Sequence, residues 1–198
     1  LHLVSEERLG AHIPADPYGF SKYACSGYIS ETAGPIIDLR LFGVFGPHEN
    51  YLYKFISLSI VRNLLGLPIV ISQNVFFDFL YVADLGAIIQ GCLKRDLKCR
   101  SYNVCTGNPI DLVSIAQTIN DCSSSPTEVR VLNEGLNNEY SGNNERLMRE
   151  FPSLAFTRLP EAIMSMRSYY LDILSTIDRD RIRKNEYVGL CDIKLPSV

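Results

Sequence analysis

Asp16-Pro17-Tyr18-Gly19-Phe20-Ser21-Lys22 is the stretch on which the reading of this sequence turns. Asp16 can cap a helix, and Pro17 suits its first turn, where a missing N–H costs nothing. The helix so opened runs through Tyr28 and Ile29 and meets a stop at Gly34-Pro35. Tyr18 and Lys22 are four apart, so the spacing places them on one helix face. A free phenol titrates near about 10 and a lysine ammonium near about 10.4. An ammonium within a few ångströms favours the phenolate. A tyrosine so placed can exchange a proton with an alcohol or ketone near neutral pH. Taken alone, Tyr-x-x-x-Lys is more often a surface tyrosine and lysine on an ordinary helix.

Beyond this helix, the apolar, branched run Ile36 to Phe42 reads as a buried strand, with Gly43, Gly46 and Pro47 marking a turn after it. Tyr51 to Leu65 reads as an amphipathic helix ended by Gly66. Leu67 to Ser72 and Phe76 to Val82 are short strands, and Asp84 caps a helix through Leu93. Ser101 to Cys105 is a further strand before the Thr106-Gly107-Asn108-Pro109 turn, and Asp111 caps a helix from Leu112. Val129 to Leu132 reads as a strand and Glu145 to Phe151 as a short helix. Pro160 opens a last long helix with Ile163, Met166, Tyr170, Leu174 and Ile177 on one face. After Asp178 the charge density rises and the chain is expected to fray. Strands alternating with helices argue for an α/β architecture.

The composition narrows the function classes. The chain has 198 residues, of which 46% are hydrophobic and 21% charged, so it is no disordered chain. Its 19 Lys and Arg against 22 Asp and Glu leave a net charge of -3, with no basic field to hold a nucleic acid. The six cysteines show no C-x-x-C spacing, and the three histidines (His2, His12 and His48) are never four apart. A metal site therefore has no support, and reduced thiols are the better reading. The longest apolar stretch, from Phe55 to Ile71, is interrupted by Arg62, Asn63 and Pro68, too broken for a membrane span. Leu1 is not an initiator Met and no leader follows it, so the chain reads as the remainder of a longer one.

Four motifs in order carry a resemblance. They are Pro17-Tyr18-Gly19-x-Ser21-Lys22; Arg40-Leu41-Phe42-Gly43-Val44-Phe45-Gly46-Pro47; Asp78-Phe79-Leu80-Tyr81-Val82-Ala83-Asp84-Leu85; and Tyr102-Asn103-Val104-Cys105-Thr106-Gly107. Together the chain resembles the extended short-chain dehydrogenases/reductases, in particular the NAD-dependent epimerase/dehydratase family of nucleotide-sugar enzymes. The likeness covers Asp16 to about Asn120 and continues more loosely from Leu136 to Tyr170. It implies an α/β fold: the C-terminal part of a Rossmann-type doubly wound fold plus a small α/β substrate-binding domain. The implied division is 1–50, a remnant of the NAD(P)-binding domain carrying the Tyr-x-x-x-Lys helix; 51–178, mainly substrate domain with a strand and helix returning to the Rossmann sheet; and 179–198, a tail.

The resemblance also implies roles. Tyr18 matches the family's catalytic acid/base. Lys22 matches the lysine that orients the nicotinamide ribose and lowers the tyrosine pKa. Pro47 matches a position bordering the nicotinamide, so Tyr18, Lys22 and Pro47 are the implied cofactor contacts. Gly43 and Phe77 fall where the family holds substrate; His48, which follows Gly46-Pro47, is a substrate-contact candidate from its place in the loop alone, where a solvated histidine is the commoner case. Two of these depart from the family, which often has Asn at the place of Gly43 and Arg at that of Phe77. Losing an arginine removes a charge-assisted contact to a diphosphate. Among the 13 glycines no two are separated by a single residue, so the G-x-G-x-x-G turn that holds a pyrophosphate is absent. The expectation is a fragment of an NAD- or NADP-dependent epimerase, dehydratase or reductase. It acts on a nucleotide sugar, is cytoplasmic and homodimeric, touches neither nucleic acid nor membrane, and alone is inactive and binds no cofactor. The alternative is a binding or regulatory protein on the same fold with catalysis lost.

Overall fold

The structure is a computed structural model that describes residues 2–11 and 13–185. Leu1, His12, Cys191 and the part of the expected tail from 186 to 198 lie outside the described residues. After a short 3-10 turn at Glu6–Arg8, the chain forms α1 (Pro17–Glu31), β1 (Asp38–Leu41), β2 (Gly43–Phe45) and α2 (Phe55–Leu64). Then come β3 (Ile69–Asn74), β4 (Phe76–Phe77), β5 (Phe79–Tyr81), α3 (Val82–Leu93), β6 (Ser101–Val104) and β7 (Ile110–Asp111). The series closes with α4 (Leu112–Asp121), β8 (Val129–Leu136), α5 (Glu145–Glu150), α6 (Leu159–Asp172), a 3-10 turn at Leu174–Thr176, and α7 (Arg179–Lys184).

The strands pair β1 with β6, β2 with β5 and β3 with β8, all parallel, while β4 and β7 are antiparallel. Parallel partners far apart in sequence need crossover helices, which α2, α3 and α4 supply. The larger core gathers α2, α4, α6 and β3 around Ile60, Val61, Ile69, Ile71, Ile115, Ile163 and Met166. A buried polar network pins these helices together. The Asn63 amide donates to Asn120 Oδ1 at 3.0 Å, and Arg167 donates to Asn63 Oδ1 at 2.7 Å. A smaller core joins Leu80, Ile88, Tyr102, Val104, Leu147 and Phe151. It packs under β1 through Ile37 and Leu39.

Four expectations change. Gly43, read as turn punctuation, opens strand β2, because its parallel pairing with β5 is a long-range contact that local punctuation does not reveal. The strand within Ile36 to Phe42 is parallel, as expected, but it is only half-buried, and Leu41 is 45% exposed. A strand is fully buried when both faces are covered. Among the described residues β1 has one hydrogen-bonded neighbour, β6, and the smaller core lies beneath it. Asp84 is not a cap: α3 begins at Val82, and the Asp84 carboxylate instead accepts from Thr157 N–H at 3.0 Å and its hydroxyl at 2.8 Å. Fraying does not start at Asp178. That residue caps α7, and Ile182 is buried, its carbonyl accepting from Arg62 at 2.8 Å. Among the described residues no helix is long and apolar enough to cross a membrane.

Candidate functional site

The start of α1 is built as the sequence demands. Asp16 stands in extended conformation, and its carboxylate accepts from Gly19 N–H at 2.8 Å. Gly19 is required there, since a Cβ would come within 2.7 Å of both Asp16 Oδ2 and Pro14 Cβ. The cap fixes the first turn, so the side chains at 18 and 22 are stacked one above the other. The Lys22 ammonium lies over the Tyr18 ring, 5.3 Å from its centroid, a cation–π arrangement. Tyr18 is 74% exposed, so the pair shares a face but, among the described residues, does not sit in the cleft that its chemistry leads one to expect. Ser21 turns its hydroxyl back to the Tyr18 carbonyl at 2.7 Å.

The segment after β2 forms the rim of a cavity of about 250 Å³, lined by residues 44–49 and by Val82 of α3. Pro47 and His48 both border it. His48 adopts a left-handed backbone, φ 70°, and its exposed ring packs on Tyr169 of α6 with centroids 5.0 Å apart. Its Nδ1 lies 3.1 Å from the Tyr169 hydroxyl.

Gly43 and Phe77 are committed to packing. A Cβ on Gly43 would meet the Asp78 carbonyl at 2.8 Å and the Phe79 ring at 3.1 Å, so the parallel pairing of β2 with β5 admits no larger side chain. Phe77 packs on Phe79 and Tyr140, with ring centroids 5.6 and 6.3 Å away. Next to it, Asp78 is fully buried. It accepts from Thr106 N–H (2.7 Å), the Thr106 hydroxyl (2.7 Å) and Gly107 N–H (2.8 Å). Two sequence motifs separated by a helix are thus clamped together by one carboxylate.

Two neighbours of the site went unread in the sequence. Tyr140 lies within electrostatic reach of the Tyr18 phenol and packs on Phe42, centroids 5.1 Å apart; burial above all, and Tyr18 next, push its own phenol up. It sits in a polar, Asn-rich stretch with no periodic signal. Glu49 lines the cavity and accepts a short hydrogen bond from Ser57, and burial pushes its carboxyl up. In sequence it is one more charge in a loop. The five described cysteines are unpaired, and burial pushes the Cys105 thiol well up, which argues against a nucleophile. Among the described residues no three His, Cys, Asp or Glu side chains cluster as metal ligands would.

No protein-family model matches the chain. A curated relative, the ADP-L-glycero-D-manno-heptose-6-epimerase of Brachyspira hyodysenteriae, is 27% identical over 124 residues, 57% of this chain and 39% of its own length. Among solved structures, UDP-glucose 4-epimerase from Thermotoga maritima, solved with UDP-glucose, superposes with a TM-score of 0.74 at 17% identity, over 88% of this chain and 59% of that one. The chain has the fold of the nucleotide-sugar epimerases. UDP-glucuronic acid 4-epimerase from Bacillus cereus, in complex with UDP-glucuronic acid and NAD, gives the same picture. Its TM-score is 0.71 at 20% identity, over 87% of this chain and 57% of that one. GDP-L-fucose synthetase from Naegleria fowleri, bound to NADP, gives 0.70 at 18% identity, over 87% and 62%. The resemblance read from the four motifs and the mixed α/β, Rossmann-like architecture therefore hold at the level of the fold. This chain spans a little over half of each of these epimerase-fold structures and less than half of the curated relative.

Proposed function

We propose that this chain is part of an NAD(P)-dependent nucleotide-sugar epimerase, dehydratase or reductase in which Tyr18 is the acid/base. The observation that carries the reading is the Lys22 ammonium set over the Tyr18 ring on a helix whose first turn is fixed by Asp16. The exposed phenol, and an ammonium with no ion pair among the described residues, fit the hydroxyls of a ribose and a sugar. Pro47, on the rim of the cavity, fits an edge of the nicotinamide. When bound, NAD(P) supplies hydride transfer. Tyr18 gives or takes the proton at its phenol oxygen, and Lys22 holds the tyrosine and orients the ribose. On this reading residues 1–50 belong with the cofactor domain and residues 51–178 mainly with the substrate domain, and the whole protein is a cytoplasmic homodimer. In the whole protein, Tyr18→Phe lowers turnover by about 10²–10⁴-fold with cofactor binding retained. Turnover at the wild-type rate would remove Tyr18 from the chemistry.

The 198 residues alone are expected to be inactive, because no G-x-G-x-x-G is present to hold a pyrophosphate. Thermal unfolding with and without millimolar NAD and NADP tests this. A ligand at 100 times its Kd adds about 2.7 kcal/mol, so an unchanged melting temperature is the expected result and a clear rise the opposite one.

A second reading has its own support. The positions where the family often places Asn and Arg are here a glycine with no room for a side chain and a phenylalanine packed in an aromatic cluster. A binding or regulatory protein on the same fold would need neither polar group. It is distinguished by a whole protein that binds cofactor and sugar nucleotide without turnover.

A further inference from the structure

The turn at 46–49 is tied to the helices behind it by more than backbone. His48 and Glu49 are consecutive, and so are Tyr169 and Tyr170 on α6. Tyr169 meets the His48 ring through its own ring and hydroxyl. On the other side of the turn, Glu49 accepts from the Ser57 hydroxyl of α2, and Ser57 is fully buried. The Tyr170 hydroxyl lies beside this pair, inside the larger core and close to Ser57, but with no hydrogen bond of good geometry among the described residues. Glu49 therefore spans from a buried hydroxyl pair at its base to the cavity at its rim. A buried polar join of this kind holds well when it is satisfied and is costly when broken.

We infer that Glu49 is a positioning residue for the wall of the cavity. Through its bond from Ser57 on one side, and with the His48–Tyr169 contact on the other, it ties the 46–49 turn to α2 and α6. The inference rests on the proposed function only in treating this cavity as part of the site. The groups that act on Glu49 are Lys54 from its own segment and Ser57 from α2; Glu49 in turn acts by charge on Tyr170 of α6, which Tyr51 and Tyr169 also reach. Burial is the main influence on the Glu49 carboxyl and raises it, while the Ser57 bond and the Lys54 charge pull the other way. Near and below the ordinary carboxylate range, about 4.3, the join is neutral. Above the raised value a negative charge is forced into it.

The test is an NMR titration of this chain from pH 4 to pH 8, following the ring signals of Tyr169 and Tyr170. The wild type shows a step above the ordinary carboxylate range, and Glu49→Gln abolishes that step. Ser57→Ala moves the Glu49 step to still higher pH, because the lost bond favours the ionised form. Glu49→Gln keeps the close ring contact between His48 and Tyr169, whereas Glu49→Ala loses it. A step unchanged in Glu49→Gln, a step at the ordinary carboxylate position, or a ring contact that survives Glu49→Ala would each overturn the inference. Tyr18→Phe leaves all these signals in place, so a failure of the Tyr18 assignment is seen separately from a failure here.

Discussion

Helices α1 and α2 are organised by opposite means. Over the fifteen residues of α1 not one is buried, and its start is fixed by the Asp16 cap, Pro17 and the tight approach at Gly19. In α2 every residue from Phe55 to Asn63 is buried, including Ser57, Ser59, Arg62 and Asn63, and no side chain caps its start. One helix is specified by its own first turn; the other is specified by what it packs against. The candidate proton-transfer pair stands on the first kind. Its internal geometry, four residues on one capped helix, survives without a core around it, while the cavity wall at 46–49 inherits its geometry from the second kind.

This contrast predicts a graded set of substitution effects. The largest lies in the core: Met166→Ala or Ile163→Ala, both at fully buried positions of α6 facing α2, costs about 2–5 kcal/mol. Urea unfolding measures it, and a cost below about 1 kcal/mol would mean that the α2–α6 interface is not what holds this region. The intermediate effect is on the cap. Asp16→Ala costs about 0.5–2 kcal/mol of local helix stability, read as faster amide exchange in the first turns of α1 with the core amides unchanged. The smallest effect sharpens the comparison. Phe20→Ala and Tyr28→Ala, on exposed positions of α1, change the unfolding free energy by no more than about 0.5 kcal/mol. A large loss from either would show that α1 is packed in solution against something.

What could be read from sequence divides along the same line. The Asp16 and Asp111 caps, and the stacking of Tyr18 on Lys22, are local, set by neighbours three or four residues away, and the sequence displays them directly. Of the stripe Ile163, Met166, Tyr170, Leu174 and Ile177, visible by its period, the first three are buried on α6, but α6 ends at Asp172, so Leu174 falls in a 3-10 turn and Ile177 after it. What could not be read depends on distant partners. Strand β2 exists because Gly43 lets β5 come close, and that partner is more than thirty residues away. Asp84 has the sequence of a cap and the work of a clamp on Thr157, across 73 residues. Glu49 and Tyr140 acquire their surroundings only when α6, α2 and the 42–45 strand region close around them. Family likeness recovered the fold because it carries such long-range pairings; it carried no warning that the Tyr18 face would stand open to solvent.

Native-state amide hydrogen exchange of the 198-residue chain tests the central contrast most directly. Amides of α2 from Leu58 to Leu65 are predicted to exchange only through global unfolding, at the full unfolding free energy. Amides of α1 from Phe20 to Thr32 are predicted to exchange through local opening, at a far smaller free energy that denaturant barely changes. Equal protection of the two helices, rising and falling together with denaturant, would contradict the account and make α1 part of the same cooperative core.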